Sequence, residues 1–232
     1  MLRKDRNKIA KGKQGAEADR DAAVAVADAL RLQRDAFVDR AERLIGRGRA
    51  GRGSSSSGGD VRMLIWCLGG DYVAKAGMII RVDLSGEAIP GWMETILPIL
   101  EIQDRLQWLS LDGTGVSDAQ LGYLGGVSTL QDLSLANNKG VSDKGLAQLV
   151  GLRDLHTLSL NNTGVGDDGL RHVAELKKLH TLNLGSTKVS DKGLKHLKAL
   201  LKLRSLSVDK TNVTTAGAAD LEKAVPDLKV SR

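Results

Sequence analysis

Four histidines are the side chains whose type and spacing suggest chemistry. His156 and His180 stand second in two similar segments, LHTLSL and LHTLNL, and His172 and His196 follow them at equal intervals. Imidazoles on neighbouring strands could share a transition-metal ion, because zinc and copper accept imidazole nitrogens as ligands. Duplication of one segment would also copy both histidines, and two ligands leave a metal site incomplete. We therefore predict no metal and no cofactor, with a shared ion as the alternative.

Other patterns typical of catalysis are missing from the sequence. No nucleophile elbow or paired-cysteine motif occurs, and no glycine-rich loop joins a strand to a helix as in a phosphate-binding site. The acidic pair Asp167-Asp168 falls at a predicted helix start, where carboxylates are favoured. Cys67 lies in the apolar run 63–68, which indicates a buried thiol rather than a reactive one. We predict no catalytic residue, and an enzyme with chemistry in the strand-end loops is the remaining alternative.

The histidines belong to a segment that repeats every 24 or 25 residues. Leucine opens each copy and returns at the fourth position, and leucine or valine fills the sixth; polar residues alternate with them, so each copy predicts a strand with one buried face. A later valine and then apolar residues at spacings of three predict a short helix with an inward stripe. The opening leucines are Leu106, Leu130, Leu155, Leu179 and Leu203. The second copy has one extra residue, within 137–140.

Two polar columns accompany the leucines. A Thr or Asn in the ninth position needs hydrogen-bond partners, which we expect from backbone groups of the stacked turns. This column contains Thr114, Asn138, Thr163, Thr187 and Thr211. A second column is predicted to supply the helix N-caps. Its members are Asp118, Asp143, Asp167, Asp191 and Thr215.

Strand, turn and short helix in series predict an α/β fold with parallel strands and right-handed crossovers. The pattern V-[ST]-D-x-G-L, as in VSDKGL at 141–146 and 189–194, resembles leucine-rich repeats of the ribonuclease-inhibitor-like and F-box-associated type. The resemblance covers about residues 79–230. It implies a curved solenoid with strands on the concave face and helices on the convex face. It also implies a non-catalytic module that binds a macromolecular partner, or alternatively an F-box-like adaptor that recruits substrates.

The segments before the repeats are assigned from composition. We predict a disordered basic tail at 1–15 and an amphipathic helix at 16–46, through which the chain could self-associate. A flexible Arg/Gly/Ser linker is expected at 47–60. Residues 61–104 should hold an N-terminal cap and a degenerate first repeat.

That cap is expected to contain a helix at 61–68 and a hairpin that turns at Ala76-Gly77. The leucine-rich repeats then fill 105–232, and a short strand at 226–230 closes the C-terminal end. One α/β solenoid with an N-terminal extension is therefore the predicted organisation.

Charge and cysteine usage limit the partners and the compartment. The net charge is +6, but residues 1–60 hold 14 Lys and Arg against 9 Asp and Glu, whereas the remainder holds 20 against 19. A nucleic-acid-binding body usually has a concentrated basic face, so we predict a protein partner, with the Arg-Gly steps of the linker as a weak nucleic-acid signal. One cysteine forms no internal disulfide, and the charged start lacks an apolar stretch. A cytoplasmic protein that binds no membrane is expected.

Contacts with a partner are predicted on the polar side of the strands. Trp108 is the main candidate, because a solitary outward tryptophan is typical of an interface anchor; packing beneath 87–104 is the alternative. The candidate contact residues are Arg81, Trp108, Asp132, His156, Asn161, His180, Asn183 and Arg204. A lysine cluster within 177–202 is interpreted as a solvated helix face, or alternatively as a surface for an acidic partner or a membrane.

Overall fold

The computed structural model of the protein describes residues 65, 70–75, 78–86 and 105–232. These residues belong to one compact unit, Ser54–Arg232. The predicted tail at 1–15, helix at 16–46 and linker at 47–60 lie outside the described residues. So does most of the predicted helix at 61–68, of which Ile65 is helical and fully buried.

The described strands form one sheet in which spatial order follows chain order. The strands are β1 Asp71–Lys75, β2 Met78–Asp83, β3 Trp108–Ser110, β4 Asp132–Ser134, β5 Thr157–Ser159, β6 Thr181–Asn183, β7 Ser205–Ser207 and β8 Lys229–Ser231. Strands β1 and β2 pair antiparallel, which confirms the predicted hairpin, and every later pair is parallel. The terminal strand expected at 226–230 begins at Lys229 instead, because Asp227 adopts a left-handed φ of 59° that prevents an extended start.

The parallel register places the central leucine of each strand against its equivalent. Leu109 pairs with Leu133, and the column continues through Leu158, Leu182 and Leu206. All five side chains are at most 1% exposed. Each buried leucine contributes about 1.5–3 kcal/mol relative to an exposed one. The leucine column is therefore the core of an α/β leucine-rich solenoid, as the sequence predicted.

The helices are shorter than the apolar stripes. They are α1 Asp118–Leu121, α2 Asp143–Leu146, α3 Leu170–Val173, α4 Asp191–Leu197 and α5 Thr215–Ala224; 3₁₀ turns at Gly122–Leu124 and Ala147–Gly151 continue the first two. A 24-residue repeat leaves room for only one or two turns once the strand and its loops are formed. The stripe is nevertheless buried, including Leu146, Leu149 and Leu152.

The predicted N-caps Asp118, Asp143, Asp167, Asp191 and Thr215 were wrong. The N-caps of α1, α2, α4 and α5 are the preceding Ser117, Ser142, Ser190 and Thr214, and α3 begins only after Gly169. The aspartates bind the next repeat instead. The Oδ1 atom of Asp118 accepts the Ser142 amide at 2.7 Å, and its Oδ2 accepts the Ser142 hydroxyl at 2.5 Å. Each carboxylate thus staples two consecutive repeats.

The ninth-position column is buried in its first four copies, partly buried at Thr211, and hydrogen-bonded throughout. Thr163 Oγ1 donates to the Leu160 carbonyl at 2.7 Å, and Thr114 and Thr187 form the same bond within their own turns. Asn138 alone reaches the neighbouring repeat, because its Nδ2 also donates to the Leu111 carbonyl at 2.8 Å. The residue before this column is left-handed in every copy. Its φ values are 69° at Gly113, 62° at Asn137, 57° at Asn162, 57° at Ser186 and 56° at Lys210.

Candidate functional site

The solvent side of the parallel sheet carries two rows of side chains, which we call the strand face. Strands alternate their side chains between two sides, so the leucines point inward and the third and fifth positions of each repeat point outward. The third-position row contains Arg81, Trp108, Asp132, Thr157, Thr181 and Ser205. The fifth-position row contains Ser110, Ser134, Ser159, Asn183 and Ser207. Small polar groups therefore dominate this surface.

Arg81 and Trp108 are in contact at the N-terminal end of the strand face. Their strands are paired in register, and the Arg81 guanidinium carbon lies 3.7 Å from the centroid of the Trp108 ring. A cation over a tryptophan face is a favourable arrangement. Trp108 is half-buried rather than freely exposed, so one side of the predicted anchor is already occupied by Arg81.

Hydrogen bonds engage Ser110 and Ser134, the two fifth-position serines on the N-terminal half of the face. The Ser85 and Ser110 hydroxyls lie 2.7 Å apart, and Ser134 Oγ donates to Asp112 Oδ1 at 2.5 Å. The same Asp112 oxygen accepts the Ala136 amide at 2.8 Å. These groups therefore hold the strands and loops in place.

The outward side chains of β5 to β7 differ from those two serines, except for Ser207, which donates to Asp209. Within the part of the chain that the structure describes, the side chains of Thr157, Ser159, Thr181, Asn183 and Ser205 form no hydrogen bond with other protein groups. Water satisfies such groups at an exposed surface, and a partner can replace that water. This row of available donors and acceptors was not predicted from the sequence, apart from Asn183.

His156 and His180 border this part of the face. Their ring centroids lie 5.1 Å apart with an interplanar angle of 70°. The expected neighbouring placement is therefore what the structure has. The second histidine pair lies in the helical layer, where His196 Nε2 accepts a hydrogen bond from Arg171 Nε at 3.4 Å. Among the described residues, no group of three or more His, Cys, Asp or Glu side chains is arranged around a metal position.

The side chains of two candidate contact residues form hydrogen bonds with backbone groups. Asn161 Oδ1 accepts the Gly185 amide at 2.8 Å, which ties two successive loops together. Arg204 Nη1 donates to the carbonyls of Leu201 at 3.1 Å and Pro226 at 3.0 Å, across the last repeat. Asp132 lies in the third-position row between Trp108 and Thr157.

A groove of about 540 Å³ follows the loops at the C-terminal ends of the strands. Asparagines line it, and Asn162 Nδ2 donates to Asn137 Oδ1 at 2.9 Å along the row. Its carboxylate, Asp209, accepts the Ser207 hydroxyl at 2.7 Å. The lining thus connects adjacent loops.

The lysine cluster of the helical layer is partly paired. Lys178 Nζ lies 2.6 Å from Asp154 Oδ1, and Lys198 Nζ lies 2.8 Å from Asp220 Oδ2. The hydrogen bond and charge of each lysine hold the pKa of its partner carboxyl below the usual range. These pairs are exposed, so they add little to stability.

Comparison with known proteins gives a family match and similar solved structures. A family model described as Leucine Rich repeat matches residues 128–150 and 175–198. A solved leucine-rich-repeat protein of Leptospira interrogans is similar at 21% identity and a TM-score of 0.46, over 58% of this chain and 33% of that one. Internalin C2 of Listeria monocytogenes is similar at 19% identity and a TM-score of 0.44, over 76% of this chain and 84% of that one. A search of curated proteins found no match.

The stacked strand and helix units define a repeat protein of the solenoid class. Its leucine columns and parallel strands have the fold of a leucine-rich-repeat solenoid, and the family model matches two of its repeats. The chain spans about a third of the length of the Leptospira protein. Within the described residues, no helix combines the length and apolarity that a membrane crossing requires.

Proposed function

We propose that this solenoid is a non-catalytic module that binds a protein partner on its strand face, centred on β5 to β7. One observation carries the proposal. Thr157, Ser159, Thr181, Asn183 and Ser205 present hydrogen-bonding groups that no described residue uses, whereas Ser110 and Ser134 nearer the N-terminus are hydrogen-bonded within the protein. The Arg81–Trp108 pair and the two histidines flank this surface and supply larger contacts.

The size of the face favours a modest contact. Strands β2 to β7, spaced by about 4.8 Å and paired over three residues each at about 3.3 Å, present about 290 Å². A standard interface buries about 800 Å² per partner. We therefore expect a transient complex unless the surrounding loops contribute.

Site-specific photo-cross-linking tests the proposal. A photoreactive residue at Thr181 should give a covalent adduct with a protein partner in cells that produce the chain. The matched position is Lys202, which is exposed and lies outside the strand face. Equal adducts from both positions, or adducts from Lys202 alone, would contradict binding through the strand face.

Three finer assignments belong to the proposal. We assign the repeats to the ribonuclease-inhibitor-like type on the basis of their V-[ST]-D-x-G-L pattern, and the protein to the cytoplasm on the basis of its single cysteine. Self-association through 16–46, which lies outside the described residues, stays a prediction. Light scattering by the full chain at several concentrations tests it, because a constant monomer mass would rule it out.

A further inference from the structure

His156 and His180 are held side by side by the backbone of the sheet. The His180 amide donates to the His156 carbonyl at 2.8 Å, and the Thr181 amide donates to the same oxygen at 3.0 Å. The next strand extends the ladder, since the Arg204 backbone amide donates to the His180 carbonyl at 2.8 Å. The two Cβ atoms therefore start from fixed neighbouring positions, which limits the entropy lost when both rings bind one ligand.

The separation of the rings matches that of two imidazoles on one metal ion. A zinc–nitrogen bond of about 2.0–2.1 Å places each ring centroid about 3.2 Å from the ion, so a tetrahedral angle separates the centroids by about 5.2 Å. The observed separation is 5.1 Å, with the planes 70° apart. The rings are at the surface, half-buried at His156 and exposed at His180. No hydrogen bond to another described residue occupies either ring.

We propose that His156 and His180 form a chelating site for a divalent transition-metal ion of the zinc or nickel type. Neutral imidazole suits these ions, and carboxylate-preferring ions such as Mg²⁺ would not bind. The pair supplies two ligands, and the remaining coordination positions stay open to water or to a donor atom of a bound molecule. The site goes beyond the proposed function and does not depend on it.

The chain contains its own control. His172 and His196 have the same spacing in the sequence, but Arg171 already donates to His196 Nε2 and places a cation beside it. The four residues are the only histidines of the chain. Variants of the two pairs therefore separate chelation from general imidazole affinity.

Titration of the full-length protein with Zn²⁺ and Ni²⁺ against a chromophoric chelator tests the site. We expect one ion per chain, and His156→Gln or His180→Gln should each weaken its binding by at least about tenfold, since losing even an outer-shell partner of a ligand costs 10–100-fold. The double variant His172→Gln/His196→Gln should bind as the original chain does. Absent binding, or binding that His156→Gln and His180→Gln leave unchanged, would overturn the proposal.

A measurement on the unaltered chain guards against variants that misfold. Substoichiometric Ni²⁺ should broaden the ring-proton resonances of His156 and His180 before those of His172 and His196. Broadening of all four at the same Ni²⁺ concentration would also overturn the proposal.

Discussion

Asp167 and Ser190 form a two-point bond between consecutive repeats. Asp167 Oδ1 accepts the Ser190 amide at 2.7 Å, and its Oδ2 accepts the Ser190 hydroxyl at 2.6 Å. Ser190 is also the N-cap of α4 and accepts the Lys192 amide. The Ser190 side chain thus caps its own helix and donates a hydrogen bond to the carboxylate of the preceding repeat. Helix formation and repeat stacking therefore depend on the same side chain.

Removing this carboxylate should destabilise the solenoid. Asp167→Ala leaves a part-buried amide and hydroxyl without their acceptor, which should lower the free energy of unfolding by about 1–3 kcal/mol. Asp168→Ala is the control, because Asp168 is exposed and forms only an exposed ion pair with Arg171. Its effect should stay within about 0.5 kcal/mol. Urea denaturation measures both, and equal losses would show that the bond between repeats contributes nothing.

The equivalent bond at Asp191 should make stability depend on pH. The hydroxyl and amide of Thr214 hold the pKa of Asp191 below its usual range, so the carboxylate stabilises the folded state above the unfolded pKa of about 3.9. That contribution disappears as the pH falls through the folded pKa. The difference in thermal midpoint between the original protein and Asp191→Asn should therefore be largest near pH 6 and should shrink below about pH 4. A difference that stays constant from pH 6 to pH 3 would contradict this explanation.

Glycine is required where the Asp167 carboxylate, which binds Ser190, lies against the next helix. A Cβ atom added to Gly193 would lie 2.5 Å from Asp167 Oδ1 and 3.0 Å from Asp167 Cα. Gly193→Ala should therefore cost about 1–3 kcal/mol. Gly122→Ala is the matched change, because Gly122 has αR geometry and no atom within 4 Å of the added Cβ. It should be neutral or stabilising by up to about 1 kcal/mol, and thermal denaturation separates the two outcomes.

Much of the fold follows from local pattern. The leucine columns, the buried threonines and the hairpin were predictable, because each depends on residues within a single strand or turn and their spacing in the sequence indicates that element. The aspartates were misassigned because an Asp before a helix usually caps it. Whether its carboxylate binds its own helix or the next repeat depends on stacking distances that the pattern does not contain.

The strand face was only partly predictable. Template alignment places Arg81 and Trp108 in the same row, so their contact could have been inferred from register. Arg204 and Asn161 were chosen for their type and position, but their bonds run to backbone groups of neighbouring repeats. The left-handed φ of the residues that precede the ninth-position column is indicated by Gly113, Asn137 and Asn162, since glycine and asparagine favour that conformation.

Trp108 should matter more for binding than for folding. Trp108→Ala removes the ring beneath Arg81 and should weaken partner binding by about 2 kcal/mol or more if the ring is an anchor. Leu109→Ala is the comparison for folding, since this neighbouring side chain is fully buried and its loss should cost about 2–5 kcal/mol of stability. Calorimetric binding and unfolding measurements on both variants distinguish the roles. Unfolding of Trp108→Ala would assign the tryptophan to packing instead.

The most direct measurement is the affinity of Thr181→Arg for the partner captured by cross-linking. Thr181 lies at the centre of the unengaged surface, and a long charged side chain there would obstruct the face without disturbing the leucine column. We expect the dissociation constant to rise at least about tenfold, which corresponds to 1.4 kcal/mol, while the thermal midpoint stays close to that of the original protein. An unchanged affinity in a folded Thr181→Arg protein would contradict binding through the strand face.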